Sequence, residues 1–214
     1  DQKAAFWDVH SNAIYTHVEF KKDVLTVLET GYGHDVDPGN KAINIAANGS
    51  RRKADVIAAI QYRRYHKFLN ISNQDYDEGI CFFNSAGECI ANYPKQHSAN
   101  CTAKHQATNG WFKPMVRVFK NLRSKMIENK MIESGIAPSY YIEGLLYNVP
   151  IDKFGKSYDD SFVKSMNWML EADRSKFVCA NEQYFLLHEG SPVTWRESKC
   201  NQFLTATCEL WKQW

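Results

Sequence analysis

A lone carboxylate, Asp55, lies inside an apolar run, Ala54-Asp-Val-Ile-Ala-Ala-Ile, directly after Arg51, Arg52 and Lys53. Burying an unpaired carboxylate is costly, so an acid at this place either faces solvent on an edge strand or meets a cation. Hard divalent ions prefer carboxylate oxygens. Phosphoryl transfer assisted by two such ions needs several carboxylates together, because the ions activate the attacking hydroxyl and neutralise the leaving pyrophosphate. One Asp cannot do this. Two nearby patterns imitate the missing partners: Gly49-Ser50 has the form of a nucleotide-binding Gly-Ser, and Asp35-Val-Asp37 that of a metal-binding pair. The first falls within a tight hairpin, and Asp37-Pro38-Gly39 is turn chemistry, so neither is expected to bind.

A second group lies further along. Arg117 and Lys120 share a helical segment upstream of Ser139-Tyr140, where a helix begins after Pro138. Backbone N–H groups at a helix start, a hydroxyl and two cations suit phosphate, and a tyrosine ring offers a base a stacking face. Tyr140 and Tyr141 as core aromatics remain the plain alternative. His97, Cys101 and His105 recur four apart and could share a helix face as zinc ligands, but no fourth ligand is near, and zinc is not expected. Lys95 and His97 neighbour this group without an assigned role.

The charge pattern supports a polyanionic ligand. From 95 to 130 run Lys95, Lys104, Lys113, Arg117, Lys120, Arg123, Lys125 and Lys130 against the single acid Glu128, and from 51 to 67 Arg51, Arg52, Lys53, Arg63, Arg64 and Lys67 against Asp55. Nucleotides or nucleic acid would suit such stretches; solvated helix faces would produce the same pattern. The chain has 214 residues, 44% hydrophobic and 23% charged, with net charge +2, as in an ordinary globular protein. No apolar run approaches the roughly 20 residues that cross a bilayer, and no signal-peptide pattern opens the sequence, so a cytoplasmic protein without membrane partners is expected. Six scattered cysteines read as reduced thiols. The sequons at Asn48, Asn70 and Asn100 read as chance.

Positioning these residues requires two kinds of architecture. Phe20, Val24, Val27 and Leu28 predict a helix over 18–30. Residues 41–47 and 53–60 predict two strands joined at Asn48-Gly49-Ser50, and 79–83 with 88–92 a second hairpin. The stretch before residue 17 has no clear period. After Pro94 the pattern turns helical: Val116, Phe119, Leu122 and Met126 form one stripe, and helices are predicted over 139–149, 158–170 and 202–214. The expectation is a mixed α/β half followed by a helical half, with a cleft between them.

The run Lys41-Ala-Ile-Asn-Ile through Arg52-Lys-Ala-Asp-Val, then Gly79-Ile, Asn92-Tyr-Pro-Lys-Gln-His, Val116-Arg-Val-Phe-Lys-Asn-Leu-Arg and Pro138-Ser-Tyr-Tyr-Ile-Glu-Gly-Leu-Leu-Tyr-Asn-Val-Pro resembles the bacterial CD-NTases. These are relatives of cyclic GMP-AMP synthase and the oligoadenylate synthases, and the likeness spans nearly the whole chain in order. It implies a polymerase-β-like nucleotidyltransferase palm over 1–95, packed on a helical lobe over 96–214. It further implies nucleoside triphosphate substrates, Mg2+ or Mn2+, and condensation to a cyclic di- or trinucleotide signal in anti-phage defence. By position, Asp55 falls on the third metal-site carboxylate, Lys120 on donor phosphates, Ser139 on a phosphate-touching hydroxyl and Tyr140 on the base-stacking ring; Arg117 joins Lys120.

The likeness departs at one end. The family's Gly-Ser and its first two carboxylates precede the helix at 18–30, and none of the residues before it fits them, Asp1 and Asp8 lacking the spacing. The chain thus resembles a CD-NTase lacking at least one N-terminal βα unit, and is expected to be inactive alone. A regulatory protein is a candidate partner; activation by nucleic acid is not expected. The rival readings are a non-catalytic nucleotide- or RNA-binding module, and a structural fragment completed by a partner chain.

Overall fold

In the computed structural model, which describes residues 1–10 and 12–213, the chain opens with a short helix, α1 (Gln2–Trp7), where the sequence shows no period. Asp1 caps it by accepting from the Lys3 N–H at 3.0 Å, and Phe6 stands edge-on to Tyr65 and Phe68 at 5.4 and 5.2 Å. The predicted second helix, α2, spans His17–Tyr32. A capping box of Thr16 and Glu19 starts it, and Gly33 at φ 57° ends it. Its apolar stripe is only partly covered: Phe20, Val24 and Leu28 are half-buried, none is fully buried, and Val27 is 70% exposed.

Two antiparallel three-stranded sheets follow, β1 (Val36–Asp37), β2 (Ile43–Ile45) and β3 (Ala54–Val56) in one, β4 (Ile60–Asn70), β5 (Asn73–Phe83) and β6 (Cys89–Asn92) in the other. The strand expected over 53–60 therefore ends at Val56, and Ile60 begins a different sheet. The long β4–β5 hairpin was not expected, because β4 carries Arg63, Arg64, His66 and Lys67 where an apolar alternation would announce a strand. Cross-strand partners hold it instead: His66 to Asp77 at 2.7 Å, Gln61 to Glu78 at 3.1 Å, and Arg63 over the Tyr76 ring at 4.5 Å. Register places Cys81 and Cys89 on neighbouring strands with Cα atoms 6.4 Å apart, where they pair as a disulfide. This corrects the reading of all six cysteines as thiols; the other four are free.

These elements make up one compact unit, Asp1–Tyr93, and the second, Pro94–Trp214, is helical. Its helices are α3 (Pro94–Ala107), α4 (Phe112–Glu128), α5 (Ser139–Asn148), α6 (Tyr158–Glu171) and α7 (Glu197–Trp211). The α4 stripe points inward as predicted, with Phe119 and Met126 wholly buried and Val116 and Leu122 nearly so. Helix α7 begins five residues earlier than the predicted 202 and ends at Trp211; Trp214 lies outside the described residues. Residue Gly144 lets α5 lie close against the 177–187 segment, since a Cβ there would meet the Leu186 Cδ1 at 2.8 Å. Trp195 closes the core from the far side, its indole N–H donating to the Ile136 carbonyl at 2.8 Å. Among the described residues no helix is long and apolar enough to cross a membrane.

Candidate functional site

Helix α4 turns two faces to different tasks. While its stripe fills the core, Lys113, Arg117 and Lys120 recur at i, i+4 and i+7 and so share one face. That face lines a cavity of about 320 Å3 within the helical unit, opposite His97, Ser98, Cys101 and Thr102 of α3 and Glu143 of α5. Glu143 is the only acid among these lining residues, so the wall is strongly cationic. Lys113 donates to the Thr102 hydroxyl at 3.3 Å. Among the described residues Arg117 has no carboxylate within ion-pair distance, which leaves its planar fork free for an anion.

Three other cations of the basic stretch have other employment. Lys104 points inward, donating to the Val149 carbonyl at 2.5 Å beneath the end of α5, and its burial depresses its pKa. Arg123 holds the Ala137 carbonyl at 3.0 Å and the Ser139 hydroxyl at 3.1 Å, which binds the start of α5 to α4. Lys125 pairs with Glu128 at 3.0 Å. Only part of the stretch is therefore available to a ligand.

The Glu143 carboxylate joins three helices. One oxygen accepts from the Lys120 ammonium and the other from His97 Nε2 at 2.6 Å. Burial alone would raise the Glu143 carboxyl, but the His97 and Lys120 contacts outweigh it and hold it below its usual range. The His97 imidazole is pushed up to about 9, first by the Cys101 sulfur one turn along α3 and then by Glu143, so at neutral pH it is a cation. Its ring stacks on Tyr140 at 4.9 Å and 21°. Tyr140 is half-buried, its pKa is raised mainly by burial, and its hydroxyl accepts from the buried Asn181 amide at 2.9 Å. Ser139 stands exposed at the first position of α5.

Sequence reasoning set His97 beside this group without a role and missed Glu143 and Asn181. The signal for Glu143 was present, since it follows Tyr140 by three residues on a helix and so shares its face; Asn181 carries none, because only the chain's return past α5 brings it near. Of the three residues in the zinc pattern, His97 and Cys101 stay together and His105 does not. His105 accepts from the Lys113 N–H at 3.4 Å and leaves the group, while a His97 nitrogen, the Cys101 sulfur and a Glu143 oxygen lie within 4.8 Å of one another. Both Glu143 oxygens are engaged here, one by Lys120 and the other by His97.

Asp55 lies in the other unit, on β3 opposite Asn44. Its side chain is 59% exposed, and its ion-pair partner is Lys53 at 4.0 Å. Among the described residues no cluster of three metal-ligating side chains includes it. A lone carboxylate offers at most two of the roughly six oxygens Mg2+ requires, so the residues around Asp55 do not by themselves make a magnesium site. The two decoys are structural. Asp35 accepts from Arg51 at 2.6 Å and Asn48 at 2.9 Å, and Gly49 sits at φ 56° in a hairpin closed by Asn48 and Arg51.

Residues 99–212 match the family described as the cGAS/DncV-like nucleotidyltransferase C-terminal helical domain. The cyclic UMP-AMP synthase of Rhodothermus marinus is 41% identical over 216 residues, covering all of this chain and 73% of its own length. The solved structure of that CdnE c-UMP-AMP synthase, with Apcpp and Upnpp, matches with a TM-score of 0.85 over 95% of this chain and 69% of its own. The cyclic nucleotide synthase CdnE01 of Staphylococcus haemolyticus is 36% identical over 94% of this chain and 68% of its own. A CdnE cyclic dinucleotide synthase of Elizabethkingia meningoseptica, solved with GTP and Apcpp, is 26% identical with a TM-score of 0.79 over 94% of this chain and 72% of its own. With the family match over 99–212 and a relative 41% identical over the whole chain, the chain belongs to the cGAS/DncV-like nucleotidyltransferases.

Proposed function

We propose that the protein condenses nucleoside triphosphates into a cyclic di- or trinucleotide used in anti-phage defence, acting in the cytoplasm. The observation that carries this reading is the cavity walled by Lys113, Arg117 and Lys120, in a chain 41% identical to a cyclic UMP-AMP synthase. Residues 1–95 would form the palm portion and 96–214 the helical lobe; the family match over 99–212 supports the second assignment. Lys120 and Arg117 would hold the triphosphate by charge-assisted bonds, Ser139 would add a hydroxyl, and Tyr140 would stack on the base, a contact worth roughly 1–3 kcal/mol. Relatives solved with Apcpp, Upnpp and GTP support triphosphate substrates.

Nucleotidyltransferases of this family generally use divalent metals. We assign Asp55 as one carboxylate toward Mg2+, or Mn2+, with further oxygens needed beyond those near it. Such ions activate a ribose hydroxyl and neutralise pyrophosphate when bound. The chain's own residues would hold each triphosphate while a 2′- or 3′-hydroxyl attacks an α-phosphate, with loss of pyrophosphate, once for every linkage of the ring: twice for a dinucleotide and three times for a trinucleotide.

A second reading, nucleotide binding without transfer, is favoured by the isolation of Asp55 from other carboxylates. Incubation of a complete protein, one that supplies those further oxygens, with radiolabelled NTPs and Mg2+ separates the two, since the 214-residue chain alone is expected to make no product. Cyclic product that disappears in Asp55→Ala supports the enzyme; tight NTP binding with no pyrophosphate release supports the binding module. Failure to bind any NTP overturns both.

A further inference from the structure

Lys120 and Tyr140, assigned above to opposite ends of a nucleotide, belong to one continuous chain of contacts. Lys120 donates to Glu143, Glu143 accepts from His97 at 2.6 Å, His97 stacks on Tyr140 at 4.9 Å, and Asn181 fixes the Tyr140 hydroxyl at 2.9 Å. We propose that Glu143 is a positioning residue that couples the phosphate end of the bound nucleotide to its base end. With one carboxylate oxygen it holds Lys120, and with the other the imidazole that braces Tyr140. The inference rests on the nucleotide-binding reading and deepens it.

The physical case turns on flexibility and charge. A lysine side chain has four rotatable carbons and loses about 2 kcal/mol of rotamer freedom when fixed. Lys120 is already fixed by Glu143 at a half-buried place, its side chain 27% exposed. Without the carboxylate, Lys120 would be repelled by the His97 imidazolium and by Arg117 and Lys113 on its own helix face. His97 would lose the acceptor that sets its ring plane, and with it the brace on Tyr140. Tyr140 and Glu143 are three residues apart on α5, so one helix carries both the ring and the carboxylate that steadies it.

This role predicts the opposite sign from simple electrostatics. Replacing Glu143 by Gln removes the only acid of the cavity wall and makes it more positive, so charge alone would tighten triphosphate binding. Positioning would loosen it. The measurement is calorimetric titration of the 214-residue chain with each NTP and with inorganic tripolyphosphate, which has no base. In the wild type, Tyr140→Ala should weaken the tightest-binding NTP at least tenfold and leave tripolyphosphate unchanged. Glu143→Gln should weaken that NTP about tenfold, and in its background Tyr140→Ala should cost less than threefold further. Unchanged or tighter NTP binding by Glu143→Gln, or a full Tyr140→Ala effect in its background, overturns the proposal. If circular dichroism shows Glu143→Gln unfolded, Glu143→Asp is titrated in its place. It keeps the charge but shortens the reach, so weakened NTP binding supports positioning and wild-type binding overturns it. A wild-type chain that binds neither NTP nor tripolyphosphate overturns the nucleotide-binding reading itself, and the coupling with it.

Discussion

His97 illustrates how one side chain changes meaning with its neighbours. Taken with Cys101 and His105 it suggests a zinc ligand; in place it is a cation between a carboxylate and a tyrosine ring. Its pKa stands at about 9 rather than the ordinary 6.5, so the folded state binds this proton more tightly than the unfolded state does. The resulting stability is fully present below pH 6.5 and is lost as pH rises through about 9. Chemical denaturation should show the wild type losing on the order of 1–3 kcal/mol across that window, whereas His97→Gln should start lower and stay flat. Lys120→Met keeps the stem and removes the charge. It should weaken NTP binding by roughly 10- to 100-fold, the range of one charge-assisted bond, with the fold intact by circular dichroism. That Arg117 and Lys120 share a helix and that Tyr140 stands at the start of another was legible from spacing and residue type, whereas their roles toward a nucleotide come from the resemblance. His97 and Glu143 were not legible, because their significance lies in each other and they stand 46 residues apart.

Two close approaches decide whether elements can pack as they do. A Cβ at Gly79 would stand 2.5 Å from the Asn92 carbonyl oxygen, a backbone atom of the paired strand β6. A Cβ at Gly144 would meet only the movable end of Leu186, at 2.8 Å. Gly79→Ala should therefore cost more than Gly144→Ala, about 3 kcal/mol against about 1–2 kcal/mol, by denaturant unfolding; the reverse order would refute the packing account. Helix α5 was legible nearly to its ends, 139–149 against Ser139–Asn148, whereas for α4 only the inward stripe was legible and not its bounds. The β4–β5 hairpin was hidden, because its stability comes from cross-strand pairs such as His66 with Asp77, which no local pattern reveals. The 53–60 run misled in the other direction. Its apolar composition is continuous, yet the backbone changes sheet after Val56.

The molecule divides its apolar material unevenly. The large cluster of buried residues, from Cys101 to Leu210, lies wholly within Pro94–Trp214, whereas in the first unit α2 has no fully buried residue. Expressed alone, residues 94–214 should unfold cooperatively on heating, and residues 1–93 should show a broad, weak transition; calorimetry of the two pieces checks this. A net charge of only +2 also conceals the concentration of cations on one wall. Nucleotide binding should therefore weaken several-fold between about 0.05 and 0.5 M salt, as partly exposed charges are screened, which titration at several ionic strengths would show.

The spacing of Lys113, Arg117 and Lys120 along α4 makes the cavity a reader of helical phase. Each residue advances an α-helix by about 100°. One residue inserted between Arg117 and Lys120 would swing the lysine about a quarter-turn off that wall and rotate Leu122 and Met126 out of the core with it. Side chains of this helix can be exchanged one at a time, but a residue gained or lost between these positions would dismantle the cationic wall and the core stripe in one step.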